Sequence, residues 1–470
     1  MIFSSLMFIF LFLPVVTIGY FILSKNNTMK NLWLFIFSIG FYFLGGAIEH
    51  TKLLLGCILF NYLMALSIEW TKIRSSLWSK IVLIITILGD LMVLGYYKYG
   101  SFVISQIAEV WGKDNMVYAI ALPIGISFYI FQALSYVVDV YRGEKAEKNP
   151  INVGLYICFF PQLVAGPIVR FREVSRDLHI RKETINDFSE GLLRFVVGFN
   201  KKILLANTLG ELADLTFLSS EKSVFMAWLG ALAYALQIFY DFSGYSDMAI
   251  GLGRMFGFHF GENFNYPYAA KSITEFWRRW HISLSAFFRD YVYIPLGGGR
   301  VNASKHIMNL AIVWIATGMW HGANWTFLVW GIGYFILIIF EKYVFKPYTY
   351  KNNFLVLLYR VFTLVSIILL WVVFRAESLK IAISYIMIMF GNGAKCVLDA
   401  AVLYQIKNYW VFILIGIMGS VPFGKSKIIK RILEKKVVCV AKLVMILVLF
   451  AVAVSRLMIG SYNPFIYFMF

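Results

Sequence analysis

Charge is scarce in this chain. Asp, Glu, Lys and Arg make up 14% of its 470 residues, against 60% hydrophobic, and the mean hydropathy is +0.74. Soluble domains carry about 25% charge and about 45–50% apolar residues. That excludes a soluble enzyme and a disordered chain. Cysteine is sparse too. Cys57, Cys158, Cys396 and Cys439 stand far apart and form no CxxC pair, which excludes a secreted disulfide scaffold. Acid is the rarer charge, with 25 Asp and Glu against 43 Lys and Arg and a formal net of +18. A soluble protein so basic would point to nucleic acid. In a chain this apolar the excess reads as cytoplasmic loops that collect Lys and Arg, so no nucleic-acid partner is expected.

Several chemistries are missing as well. There is no Walker motif, dinucleotide fingerprint, HExxH or G-x-S-x-G elbow. His281 and His321 have no local third ligand, and Asp241 and Asp247 are too few for a cation site, so no metal is expected. No internal repeat is visible, which speaks weakly against an inverted-repeat transporter.

What the chain does have is long apolar runs. A spanning helix takes about 20 of them. Candidates are 2–23, 31–48, 52–70, 81–99, 117–141, 223–242, 306–321, 323–341, 354–374, 381–391, 404–421 and 437–458. Some are short, so the expectation is about nine to eleven spans in an all-α polytopic membrane protein. Met1 to Leu23 is too long for a signal core and lacks a preceding basic residue and a cleavage site. It reads as a retained first helix. Lys25 and Lys30 in one loop, and Lys72, Arg74 and Lys80 in another, put those loops in the cytoplasm and the N-terminus outside. The 425–436 segment, with Lys425, Lys427, Lys430, Arg431, Lys435 and Lys436 against Glu434 alone, is expected in the cytoplasm too. One further span then puts the C-terminus outside.

From 142 to 300 the pattern changes. Apolar segments too short to span alternate with Pro, Gly and charge, as in PQLVAGPIVR (161–170), QIFYDFSGYSDMAIG (237–251) and ENFNYPYAAKSITEFWRRWH (262–281). Irregular backbone at membrane depth is tolerated only inside protein or against a wet cavity. This region is therefore expected inside, as re-entrant or interfacial helices. Within it, Ser272 and Glu275 fit a capping box. Trp277, Trp280, His281, Leu284, Phe288 and Tyr291 then fall on one helical stripe. Its plain reading is an interfacial amphipathic helix over 274–291 with snorkelling arginines, but a histidine on the apolar stripe is anomalous.

A second block, MWHGANWTFLVWG (319–331), sits inside an apolar run. Continuous helix from His306 to Glu341 would be about 54 Å long, against a hydrocarbon core of about 30 Å. The helix must break, and Gly318, His321, Gly322 and Asn324 supply the place. A polar side chain there is by default a functional-site hypothesis, weighed against a structural histidine bonded to a carbonyl.

TEFWRRWHISLSAFFRDYVYIPLGGGR (274–300) and MWHGANWTFLVWG resemble the membrane-bound O-acyltransferases. The closer resemblance is to the branch that O-acetylates alginate, with peptidoglycan- and cellulose-acetylating members; the D-alanyl transfer protein of teichoic acid is a cousin. The resemblance covers most of 120–345, and the terminal NPFIYF fits it. It implies a helical bundle around a central funnel or tunnel. By pattern the chain divides into N-terminal spans (1–141), a catalytic core (142–345) and C-terminal spans (346–470), one integral-membrane domain over 1–470. His321 matches the family's intramembrane histidine, and His281 a second, more variable polar site. A thioester donor, acetyl-CoA or an acyl carrier, would reach the site from the cytoplasm as a substrate, with no permanently bound cofactor. Trp320 and Asn324 are candidate oxyanion donors. Trp277 and Trp280 are candidate substrate contacts, and Arg278 and Arg279 candidate phosphate ligands. The resemblance further implies a bacterial cytoplasmic membrane, an extracytoplasmic acetyltransferase or esterase-like partner, and a glycan synthase complex. A transporter and D-alanyl transfer are the competing readings.

Overall fold

The computed structural model describes residues 1–23, 26–112, 120–422, 435–460 and 462–464. Lys25, most of the basic 425–436 segment and Phe465–Phe468 of NPFIYF lie outside the described residues. Among the described residues every regular element is a helix. Eight helices are long and apolar enough to cross a bilayer: Asn27–Gly45, Ile48–Arg74, Ser76–Val110, Val224–Met255, Trp325–Thr349, Asn353–Arg375, Ala400–Gly419 and Val437–Met458. Phe8–Ile22 and Leu379–Met389 are apolar but shorter.

The helices gather into two compact units, Met1–Phe195 with Tyr245–Gly261, and Val196–Gly244 with Glu262–Phe470. In the first, the Ile126–Arg142 helix is buried on nearly every side. Ion pairs lie within this unit. Lys30 meets Glu183 at 2.8 Å, and Arg194 meets Asp247 of the YSD stretch at 2.8 Å.

The helices after 184 correct one expectation. The segment after 184 is not a set of short pieces. Ile185–Asn200, a π-helical turn Lys201–Ala206, and Asn207–Leu218 follow one another without a break. Polar residues lower the hydropathy there, but they are satisfied internally. Lys202 pairs with Asp241 at 2.6 Å, both side chains almost fully buried, and the Asn200 amide donates to the Ile446 carbonyl at 3.1 Å. Each Asp of DFSGYSD is thus committed to a cation, Asp241 to Lys202 and Asp247 to Arg194.

The run from 303 to 345 breaks where its length required. Ala303–His321 ends at Gly322, and Trp325–Phe340 begins after Asn324. The two helices form a tight hairpin. A Cβ on Gly318 would lie 2.6 Å from the Phe327 carbonyl oxygen, and one on Gly331 would lie 2.5 Å from that of Trp314. Neither neighbour is a flexible side-chain end, so added bulk must part the helices.

Overpacking of this kind costs about 1–3 kcal/mol. Gly318→Ala should therefore lower the unfolding temperature in detergent, whereas Gly56→Ala, with nothing within 4 Å of the new methyl, should not lower it. Thermal unfolding of the two purified variants checks this.

Candidate active site

The WRRWH segment is held from its N-terminal side. Ser272 Oγ accepts from the Glu275 N–H at 3.2 Å. The buried Glu341 carboxylate accepts from the Ile273 and Thr274 N–H groups at 2.7 and 3.1 Å, and from the Tyr359 hydroxyl at 3.2 Å. These bonds satisfy the first turn of a short helix, Ile273–Trp277.

That helix does not continue to 291, as the stripe predicted. It ends in a turn, and a second helix, Ile282–Phe288, starts after His281. His281 itself is left-handed, with φ 44° and ψ 55°. Such a backbone costs a non-glycine residue about 1–3 kcal/mol and persists where surroundings impose it. Here the surroundings are Asn263. Its backbone carbonyl accepts from the Ile282 N–H at 3.0 Å. Its side-chain Oδ1 accepts from the Ser283 N–H at 3.2 Å and from the Ser283 hydroxyl at 2.9 Å, and lies 3.2 Å from His281 Nδ1.

His281 is fully buried. Burial pushes its imidazole down to about 3, so it is neutral at physiological pH. Its ring meets Phe242 edge-on at 4.6 Å and Trp320 at 5.7 Å. His321, also buried, meets Trp320 at 5.0 Å, Trp330 at 4.9 Å and Phe374 at 5.1 Å. One indole thus touches both imidazoles, and the two histidine blocks, 40 positions apart, meet in one aromatic cage.

Trp277 and Trp280 are buried beside this cage. Trp277 packs edge-on against Trp314, Tyr334 and Trp330 at 4.7, 4.9 and 5.6 Å. Trp280 lies 4.9 Å from Trp371. Asn324 is a helix cap. Its Oδ1 accepts from the Thr326 N–H at 3.0 Å, and its amide donates to the Glu377 carbonyl at 3.0 Å. The oxygen and one N–H are therefore already committed, which leaves Trp320 as the stronger oxyanion candidate.

The adjacent arginines differ. Arg279 is paired with Glu275 at 2.6 Å and donates to the Asn265 carbonyl. Arg278 is exposed and forms no ion pair among the described residues. It lines two clefts, of about 530 and 240 Å³, and Lys342 lines both with it. Lys271 adds a third cation to the larger one, which Glu275 and Glu341 also line. Among the described residues no group of three His, Cys, Asp or Glu could hold a metal ion.

Phe242, Asn263, Glu341, Trp371 and Phe374 escaped the sequence reading. Trp371 and Phe374 carried a signal, two large aromatics three apart on an apolar helix, one face by helical geometry. Asn263 and Glu341 carried none, because their partners are backbone N–H groups.

Residues 137–386 match the membrane-bound O-acyltransferase family. The chain is 37% identical to the probable alginate O-acetylase AlgI of Azotobacter vinelandii, over the whole length of both. It is 35% identical to the peptidoglycan O-acetyltransferase of Helicobacter pylori, covering 84% of this chain and 80% of that one. It is also similar, at 29% identity over 47% of this chain and 60% of the relative, to the teichoic acid D-alanyltransferase of Bacillus subtilis. The histidine cage lies inside the matched segment, and the helices are those of a multi-pass membrane protein: the chain belongs to the membrane-bound O-acyltransferase family.

Proposed function

We propose that this enzyme transfers an acetyl group from a thioester donor, acetyl-CoA or an acyl carrier, for O-acetylation of an extracytoplasmic polysaccharide. The observation that carries the reading is the pair of buried histidines sharing one indole at a helix break. The acetyl-transferring relatives match over most or all of the chain, and the D-alanyl one over about half. This favours acetyl over D-alanyl. Family membership favours covalent transfer over transport.

In this reading His321 removes the proton from an acceptor hydroxyl. The oxygen attacks the thioester carbonyl, and the Trp320 indole N–H supports the charge on the tetrahedral oxygen. The carbon–sulfur bond breaks, the thiolate leaves, and the proton passes from His321 to the sulfur. The aromatic cage excludes competing water, which protects the thioester. The acceptor is the hydroxyl of an extracytoplasmic acetyltransferase or esterase-like partner that passes the acetyl on to a glycan beside its synthase. The donor arrives from the cytoplasm, the whole chain acts as one unit with 142–345 carrying the chemistry, and both termini face away from the cytoplasm of a bacterial inner membrane.

His321→Ala should insert at normal levels and lose acetyl transfer by about 10²–10⁴-fold, the usual cost of a missing general base. His281→Ala should also lower transfer strongly. Normal glycan acetylation by a well-expressed His321→Ala protein would overturn the reading.

The arginines separate in kinetics. Arg278, exposed in a cationic cleft, suits the phosphates of the donor. Arg278→Ala is expected to raise the donor KM at unchanged protein level. Arg279→Ala breaks the bond to Glu275 and should lower stability with donor KM unmoved. Donor KM and thermal stability, measured on both detergent-purified variants, decide; an unchanged KM for Arg278→Ala removes it from the donor site.

A further inference from the structure

The hydrogen bonds around Asn263 specify which nitrogen of His281 carries the proton. A backbone N–H can only donate, and the Ser283 N–H points at Asn263 Oδ1 from 3.2 Å. The Ser283 hydroxyl lies 2.9 Å from the same atom. The amide is therefore oriented with its oxygen inward; flipped, its NH₂ would face the Ser283 N–H donor to donor. His281 Nδ1 lies 3.2 Å from that oxygen. An oxygen with only lone pairs to offer requires a donor there, so Nδ1 bears the hydrogen and Nε2 the lone pair.

We propose that Asn263 is a positioning residue: it fixes His281 as the neutral tautomer with its lone pair on Nε2, so that His281 accepts a hydrogen bond from the acceptor hydroxyl and leaves proton storage to His321. This rests on the reading that the two histidines serve one acyl-transfer site. The left-handed backbone at His281 belongs to the same device, because it brings the Ser283 N–H round to the Asn263 oxygen. Four groups that touch the ring are uncharged: Phe242 from the Val224–Met255 helix, Trp320 from Ala303–His321, and Asn263 and Ser283 from the flanking chain. His321, a second titratable group, is reached through the Trp320 ring. A buried imidazole with no charged neighbour among these keeps a proton poorly, which suits an acceptor and not a store.

Two measurements test this. The first uses the full-length wild-type protein in bilayers, labelled with ¹⁵N-histidine. His281 signals, identified by their loss in His281→Gln, should show one protonated and one lone-pair nitrogen, with the proton on Nδ1, unchanged from pH 8 to pH 5. A proton on Nε2, or a doubly protonated ring anywhere in that range, overturns the proposal. The second is Asn263→Asp, which keeps an acceptor oxygen but adds a carboxylate. The buried acid–imidazole pair should draw in a proton that the wild type lacks. Transfer should then be depressed at low pH and recover as pH rises, with the acid limb of kcat/KM moved up by roughly 1–3 units. A profile that superimposes on the wild type reduces Asn263 to packing. If the variant does not fold, the spectroscopic test still decides. The two levels fail separately. A fully active His281→Ala protein with the expected tautomer sinks the shared site, whereas the wrong tautomer with an inactive His281→Ala protein sinks only the role of Asn263.

Discussion

A helix that stops among buried side chains leaves backbone groups that no water will satisfy. The interruption at Gly322–Asn324 is where this constraint bears hardest. The Asn324 side chain caps the following helix, and its amide in turn takes up the Glu377 carbonyl. Because the break is sealed by protein groups, His321 at the end of one helix is left in an apolar cage. The tight glycine contact between the two helices follows from the same requirement, since a short connection forces them antiparallel and close.

The opposite wall solves a related problem differently. The turn through His281 is irregular, and its donors are taken by two side chains brought from elsewhere in the second unit. Glu341 closes the start of the Ile273–Trp277 helix and Asn263 closes the start of Ile282–Phe288. Lys202 and Asp241 bury their charges as a pair. Such a pair adds little over an apolar pair of equal volume, but leaving one member alone is expensive.

How much of this was legible in the sequence depended on the kind of force involved. Length against bilayer thickness located the break near His321 before any coordinates. Apolar runs located the eight long helices to within a few residues at most ends. The 274–291 stripe misled, because apolar residues three and four apart are compatible with a single helix and say nothing of a left-handed residue between two short ones. Lys202 and Asn200 disguised a continuous helix by lowering its hydropathy. Of the cage, the two histidines and Trp320 were readable from their blocks. Asn263 was not, because an asparagine that bonds to backbone leaves no pattern of its own.

The glycine hairpin also bears on how far the cage around His321 can be varied. At Gly318 and Gly331 backbone already touches backbone, so that wall has no side chain to trim or enlarge. Added room beside the histidines would have to come from the rings that touch them, Trp330 and Phe374 beside His321 and Phe242 beside His281. The shape of the cage is therefore expected to change at those ring positions, with the hairpin glycines acting as a fixed ruler against which the cage is measured.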